Sequence, residues 1–430
     1  MSTTKRNMST EENSRTPQLR FPGFRGEWVE KNLGEIGDIY RGLSGKSKED
    51  FEKGGARFIT FLNVMKNIRI DTNMLGVVNV REGEKQNSVK YGDLLFNTSS
   101  ETPEEVGICS VYDSKSDEKV YLNSFCFGYR LKNHLEYSPL YIAYFFRSIY
   151  GRELMRRIAQ GITRFNLSKE YFNKAEVPFP SLAEQQKIAE CLSEMDSIIA
   201  AQGEQLDILK DKKKGLMQQL FPRNGETTPR LRFPGFSREW DVRTLGEIAT
   251  KINRRNSKLE VTRVLTNSAN EGIVDQSLYF DRNIAIKDNT ANYYIVELED
   301  FIYNPRISTA APVGPISINK IGRGIISPLY TVFKIHTGCI AFFEQYFETT
   351  IWHPYLKSIA NFGVRFDRMN ITTEGFYNMP LLLPSIEEQQ KIADCLKALD
   401  EQISAESAKL DALKDHKKGL MQNLFPQPAN

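Results

Sequence analysis

Two stretches of the chain space their apolar residues by alternating steps of four and three. The first runs through Ile188, Leu192, Met195, Ile199, Leu206, Leu209, Leu216 and Leu220, and only Gln202 and Lys213 interrupt it. The second runs through Ile392, Leu396, Leu399, Ile403, Leu410, Leu413, Leu420 and Leu424, interrupted at Glu406 and Lys417. A mean period of 3.5 predicts two long helices that pack along a coiled-coil seam. Pro180 and Pro384 stand just before Ser181 and Ser385, and Glu184 and Glu388 follow three residues on. That spacing predicts a capping box at each start, with the serine accepting from a free amide and the glutamate reaching back. At about 1.5 Å per residue, about 35–40 residues make a rod of roughly 50–60 Å.

The same two stretches are copies of one another. Residues 180–222 match residues 384–426 at 27 of 43 positions, and residues 17–36 match 229–248 at 13 of 20. Between these blocks lie residues 37–179 and 249–383, which share only fragments. Gly92-Asp93-Leu94-Leu95-Phe96-Asn97 echoes Glu299-Asp300-Phe301-Ile302-Tyr303-Asn304, and Gly161-Ile162-Thr163-Arg164-Phe165 echoes Gly363-Val364-Arg365-Phe366. Uniform drift would blur frame and insert equally, so the pattern points to a constant scaffold carrying two different recognition units.

If each insert is compact with neighbouring ends, the end of the first long helix lies beside the start of the second. The pair is then antiparallel, with pseudo-twofold symmetry. The expected fold is α+β: two globular α/β domains separated by an antiparallel coiled coil of two long helices. The expected segments are a disordered tail at 1–16, a first domain at 17–179 and a helix at 180–222. A second domain follows at 223–383, then a helix at 384–426 and a tail at 427–430.

Composition adds bounds. The chain has 430 residues, 40% hydrophobic and 26% charged, with a net charge of +3. Both a core and a solvated surface are available, so a wholly disordered chain is excluded. The helix blocks each carry −2 and the inserts +3 and +2, an acidic rod between mildly basic domains. No apolar run approaches 18 residues and no secretory leader is apparent, so a cytoplasmic, membrane-free protein is expected. Five cysteines and four histidines lack metal-ligand spacing, and reduced buried thiols are expected. Gly42-Leu43-Ser44-Gly45-Lys46-Ser47 ends like a phosphate loop, but Tyr40 occupies the place of its first glycine. Asn304-Pro305-Arg306 lacks the second proline and the aromatic of a methyltransferase motif. The chain reads as non-catalytic.

The long repeat opens with Pro-Ser-x-x-Glu-Gln-Gln-Lys-Ile-Ala and closes with Lys-Lys-Gly-Leu-Met-Gln-x-Leu-Phe-Pro, and Leu-Arg-Phe-Pro-Gly-Phe precedes each insert. This ordered combination resembles the specificity subunit of a type I restriction–modification system, over nearly the whole chain after residue 16. The resemblance implies that each insert is a target-recognition domain reading one half of a bipartite sequence in double-stranded DNA, with the coiled coil setting the spacing. It implies two methyltransferase (modification) subunits as partners for adenine methylation, and restriction/translocase subunits that can join them. S-adenosylmethionine, ATP and Mg would belong to those partners, and none to this chain. A stand-alone tandem DNA-binding regulator and a protein-binding adaptor are the rival readings.

Donor-rich loops are the candidates for reading DNA, because Arg, Lys, Asn and Gln bond base edges while Ser and Thr hold phosphates. In the first insert these are Asn63, Lys66 and Asn67, then Asn97, Thr98, Ser99 and Ser100, then Arg164 and Asn166. In the second they are Asn267 and Ser268, Arg306 and Ser308, and Arg365, Arg368 and Asn370. The paired echoes predict equivalent places for the Asn97 and Arg306 loops, and for those of Arg164 and Arg365. The aromatic stripes Tyr141/Tyr144/Phe145 and Phe342/Phe343/Tyr346/Phe347 are expected to be core. Phe21, Phe24, Phe233 and Phe236 are expected to pack near Phe425 and Phe221.

Overall fold

The computed structural model describes residues 16–51, 53–223, 225–279, 287–361 and 367–427. The chain forms two compact units, residues 1–203 with 409–430, and residues 204–408. Both boundaries fall inside the long helices, which span Leu182–Leu220 and Ile386–Asn423. Each unit therefore holds one globular domain, the start of one long helix and the end of the other.

In the first unit a four-stranded antiparallel sheet runs in the order Gly37–Arg41, Cys126–Leu131, Leu94–Asn97, Cys109–Val111. Alternation along the third strand sends Phe96 to one face and Leu95 to the other. Phe96 stacks on Phe127 at 5.2 Å between ring centroids and joins a core with Phe146 and Phe172. Leu95 faces a smaller core with Ile59, Val89, Val120 and Leu122, supplied by a second sheet. The larger core continues through the helix Pro139–Arg147 to Ile188 and Leu192 of the first long helix, and to Leu424 and Phe425 just past the end of the second. Tyr141 and Phe145 both touch Phe425, so the aromatic stripe is core.

The second unit repeats this plan. Its first sheet runs Ala249–Lys251, Thr331–Ile335, Phe301–Tyr303, Ile316–Ile318. Phe301 stacks on Phe333 at 5.5 Å, and Ile302 faces the opposite core. Phe342 and Tyr346, on the helix Ile340–Glu348, pack on Phe221. Phe21 and Phe233 lie against the cores that contain Phe425 and Phe221.

Each insert is closed at its base by a short antiparallel ladder, Val29–Asn32 with Glu176–Phe179 and Asp241–Thr244 with Pro380–Leu383. The ends of each insert are therefore neighbours, as the antiparallel argument required. Within the first unit Asp196 meets Lys417, and within the second Asp400 meets Lys213, so the two long helices pair in opposite directions. Seam residues within the domain cores (Ile188, Leu192, Ile392, Leu396) are buried, as are Leu206 and Leu399. Met195, Ile199, Leu209, Ile403, Leu410 and Leu413 are half-buried, because two helices alone cover only part of each other's flanks.

The capping box forms only in part. Ser181 and Ser385 accept from the amides of Glu184 and Glu388, but the glutamate side chains do not turn back. Each is gripped by the arginine of a Leu-Arg-Phe-Pro-Gly-Phe segment instead: Arg20 binds Glu184 at 2.8 and 2.7 Å, and Arg232 binds Glu388 at 2.8 and 2.6 Å. These fork-to-fork pairs tie each segment to a helix start, a stronger use of a carboxylate that is only 2% exposed. The cysteines are all free; Cys109 and Cys126 are buried, while Cys191, Cys339 and Cys395 are only half-buried.

Candidate nucleic-acid interface

Asn97 ends the third strand of the first sheet and is buried. Its Nδ2 donates to the carbonyls of Glu105 (2.8 Å) and Ser99 (3.3 Å), and its Oδ1 accepts from the amide of Ile108 at 2.6 Å. Those bonds turn the chain out of the sheet, and Ser99–Ser100 then pairs with Phe165–Leu167, which pairs with Ala159–Gln160. A three-stranded ribbon results, and it brings two of the candidate segments side by side. Arg164 Nε donates to Ser99 Oγ at 3.3 Å, and Asn166 stands directly opposite Ser99. At the ribbon's tip Gly161 has φ +129°, and a Cβ there would lie 2.1 Å from the carbonyl of Arg164. Only glycine fits that turn. Beside it Ile162 is 93% exposed.

The second unit builds a related ribbon. Asn304 Oδ1 accepts from the amide of Arg306, and its Nδ2 donates to Asn267. The segment leaving it pairs with residues 367–369: the amide of Ile307 bonds Asp367, the amide of Met369 bonds Pro305, and Arg306 stands opposite Arg368. Asn370 pairs with Asn361 in turn. Arg306 is exposed and lies 3.5 Å from the Asp367 carboxylate. Ser308 accepts from the amide of Ala311 and closes a turn. Arg365 lies outside the described residues.

Three of the candidate asparagines are spent inside the fold, which corrects their reading as DNA contacts. Asn97 is one. Asn63 donates to the carbonyl of Asp71 and accepts from the Asp71 amide and from Asn67, clasping a loop. Asn267 donates to the carbonyls of Ile302 and Pro315 and accepts from Ser317, stitching three strands together. A buried amide must find such partners, and base edges cannot reach it. Asn67 is half-buried, and Lys66 is exposed on the last turn of the helix Phe61–Lys66. Ser268 accepts from the amides of Asn270 and Glu271 in a hairpin turn. Thr98 is half-buried and bonded into the ribbon through its backbone.

Two features escaped the sequence reading. Arg156 and Arg157, both more than half exposed, end the helix that runs straight into the ribbon. They share Glu153, leaving net positive charge beside it; adjacent arginines at a helix end were the available signal. Arg147 is half-buried and donates to the carbonyls of Val64, Asn67 and Cys109, so it fastens the Lys66 loop. Burial pushes its pKa down. Among the described residues, no group of three or more His, Cys, Asp or Glu is arranged to hold a metal ion, and no helix is long and apolar enough to cross a membrane.

A duplicated α+β reader, each copy presenting a ribbon and rooted in a pair of antiparallel helices, defines a class of two-headed recognition protein. The family model for the type I restriction modification DNA specificity domain matches twice, at residues 25–210 and 237–415, and the chain belongs to that family. A putative type I restriction enzyme MjaX specificity subunit from Methanocaldococcus jannaschii is 26% identical over 93% of both chains. The type I restriction enzyme StySPI specificity subunit from Salmonella potsdam is 22% identical over 85% of this chain and 80% of its own length. Among solved structures, a type I restriction–modification S subunit from M. genitalium shares the fold with TM-score 0.55 and 16% identity, covering 96% of this chain and all of its own. The protein is accordingly a DNA specificity subunit of a type I restriction–modification system.

Proposed function

We propose that each reader lays its ribbon against duplex DNA and reads one half of a bipartite target, while the paired long helices set the gap between the halves. The observation that carries this is the repetition, in both units, of an outward-turned ribbon bearing exposed arginine: Arg164 in one and Arg306 in the other. Exposed Arg164, Asn166, Arg306 and Asn370 supply donors for base edges and phosphates. Two readers mounted on one rod address half-sites on a single duplex, and spacer bases need no contact.

The chain itself performs no chemistry in this reading. Two methyltransferase subunits dock on it and methylate adenine using S-adenosylmethionine, and restriction subunits that use ATP and Mg join them in the cytoplasm. The test is methylation mapping in a host lacking other adenine methyltransferases. Replacing residues 37–179 with another insert should change one half-site and leave the other untouched. A change in both half-sites overturns the modular reading, and specific DNA binding by the chain without any methyltransferase favours the stand-alone regulator. Arg164→Ala should weaken binding to every target alike and lower the salt slope by about one, if the side chain holds phosphate.

A further inference from the structure

The two lysines that interrupt the apolar seams have a use that neither the fold nor the DNA reading accounts for. In the second unit Lys213, on the first long helix, lies 2.7 Å from Asp400 on the second. Asp400 also accepts from Gln345 Nε2 at 2.8 Å, and Gln345 belongs to the reader's helix Ile340–Glu348. Lys213 reaches that same helix directly through Glu348, also at 2.7 Å. In the first unit Lys417, on the second long helix, bonds Asp196 on the first. Asp196 accepts from Tyr144 Oη at 2.6 Å, and Tyr144 belongs to the reader's helix Pro139–Arg147. The ammonium of Lys417 also lies 5.6 Å from the centre of the Tyr144 ring.

Each unit thus brings an ammonium, a carboxylate and a reader-borne donor to one point, from three different helices. The lysine and aspartate are the same in both copies, but the donor is a phenol in one and a carboxamide in the other. The residue diverged while its role as a donor to the carboxylate persisted, as expected if the junction itself matters. The lysines are only 12% and 25% exposed, and each is a polar residue at a seam position where an apolar one would pack better. Such residues fix register and orientation at a cost in stability. Burial pushes the pKa of Lys213 down, but Glu348 and Asp400 outweigh it and the net shift is upward, so the ammonium stays charged.

We propose that the Lys213–Asp400–Gln345 and Lys417–Asp196–Tyr144 junctions are positioning locks that set the angle of each reader on the rod, and through it the gap tolerated between half-sites. This rests on the half-site reading above. The experiment co-expresses the full subunit with its methyltransferase and scores methylation of a plasmid library. The library carries both half-sites at the preferred gap and at gaps one or two base pairs longer or shorter. Lys213→Met with Asp400→Leu and Glu348→Gln, and Lys417→Met with Asp196→Leu, remove each lock without stranding a charge.

The half-sites should stay the same while methylation at off-gap targets rises about tenfold relative to the preferred gap, equivalent to about 1.4 kcal/mol of lost discrimination. Tyr144→Phe and Gln345→Met, which keep the ion pairs, should show a smaller rise of about threefold and cover the case of a paired variant that fails to fold. An unchanged gap profile in folded variants, or an equal loss of methylation at every gap, overturns the locks and assigns these residues to stability alone. If the unaltered complex shows no split target at all, the half-site reading fails instead.

Discussion

In the first unit the strands Leu75–Val78, Ala56–Ile59, Val120–Leu122 and Ser88–Val89 form one continuous sheet, with a parallel pair at its centre. The second unit covers the matching face with two pairs, Leu265–Ser268 with Gly272–Asp275 and Tyr294–Val296 with Gly324–Ile326, and a single parallel bridge between Val264 and Ile325 stands where the first unit has its central parallel pair. Beneath them the first sheets keep the same order, the same stacked phenylalanines and the same packing on the helix ends. Divergence therefore concentrates in the layer farthest from the long helices. The layer next to them is bound by contacts that also hold the frame, so a change there disturbs the frame as well. The outer layer packs mainly on itself and is free to vary.

The strongest way to break this comparison is to cut the shared layer. Phe96→Ala and Phe301→Ala should each cost about 3–5 kcal/mol, and by similar amounts. Denaturant unfolding followed by the fluorescence of Trp28 in one unit, and of Trp240 and Trp352 in the other, measures it. Markedly unequal losses would show that the two cores are not equivalent. Next come the arginines of the repeated entry segments. Arg20→Ala and Arg232→Ala each strand a glutamate that is 2% exposed, and about 2–4 kcal/mol of stability should go with each, read from the same unfolding curves.

Acid should separate the units. His353, in the second, is held by burial and by nearby Lys357 at a pKa of about 4. An unfolded histidine titrates near 6.5, so on acidification the unfolded chain takes up the proton first. The contribution is complete above about pH 6.5 and is lost as the pH falls toward 4. Between pH 7 and 5 the second unit should lose about 1–2 kcal/mol more than a His353→Gln variant does over the same range. Thermal melts at the two pH values check it, and an identical slope in the variant would remove the histidine from the account.

The smallest effect concerns one turn kept in two residues. Gly92 has φ +85° and its counterpart Glu299 has φ +66°. Gly92→Ala should cost about 1–2 kcal/mol, because a side chain is strained there. Glu299→Gly should shift stability by less than about 1 kcal/mol, since relief of strain is offset by the entropy of a new glycine. Melting temperatures of the two variants compare them directly.

Much of this was legible in the chain. The 4–3 spacing announced the long helices because a helix exposes its period directly, and duplication announced the twofold plan. The aromatic stripes read as core for the same reason. The ribbon was legible in fragments: the echo Asn97/Asn304 pointed to related loops, and in the first unit Ser99 and Asn166 face each other. What the asparagines do was not legible. Asn63, Asn97 and Asn267 look like any donor in a polar loop, and only the fold shows that their amides are consumed by carbonyls. The capping glutamates failed for a similar reason: a local rule assigned Glu184 and Glu388 to their own helices, and arginines more than 150 residues away in sequence took them.

By itself, the sequence determined the number of readers, the two long helices and their antiparallel sense, because periodicity and chain connectivity are properties of residue order. Tertiary structure alone decided which polar side chains face outward and which are spent, because a hydrogen bond between distant residues leaves no local pattern. Lys213 and Lys417 stand on that line. Along the chain they are gaps in an apolar seam, and in the folded units they are where two helices and a reader meet.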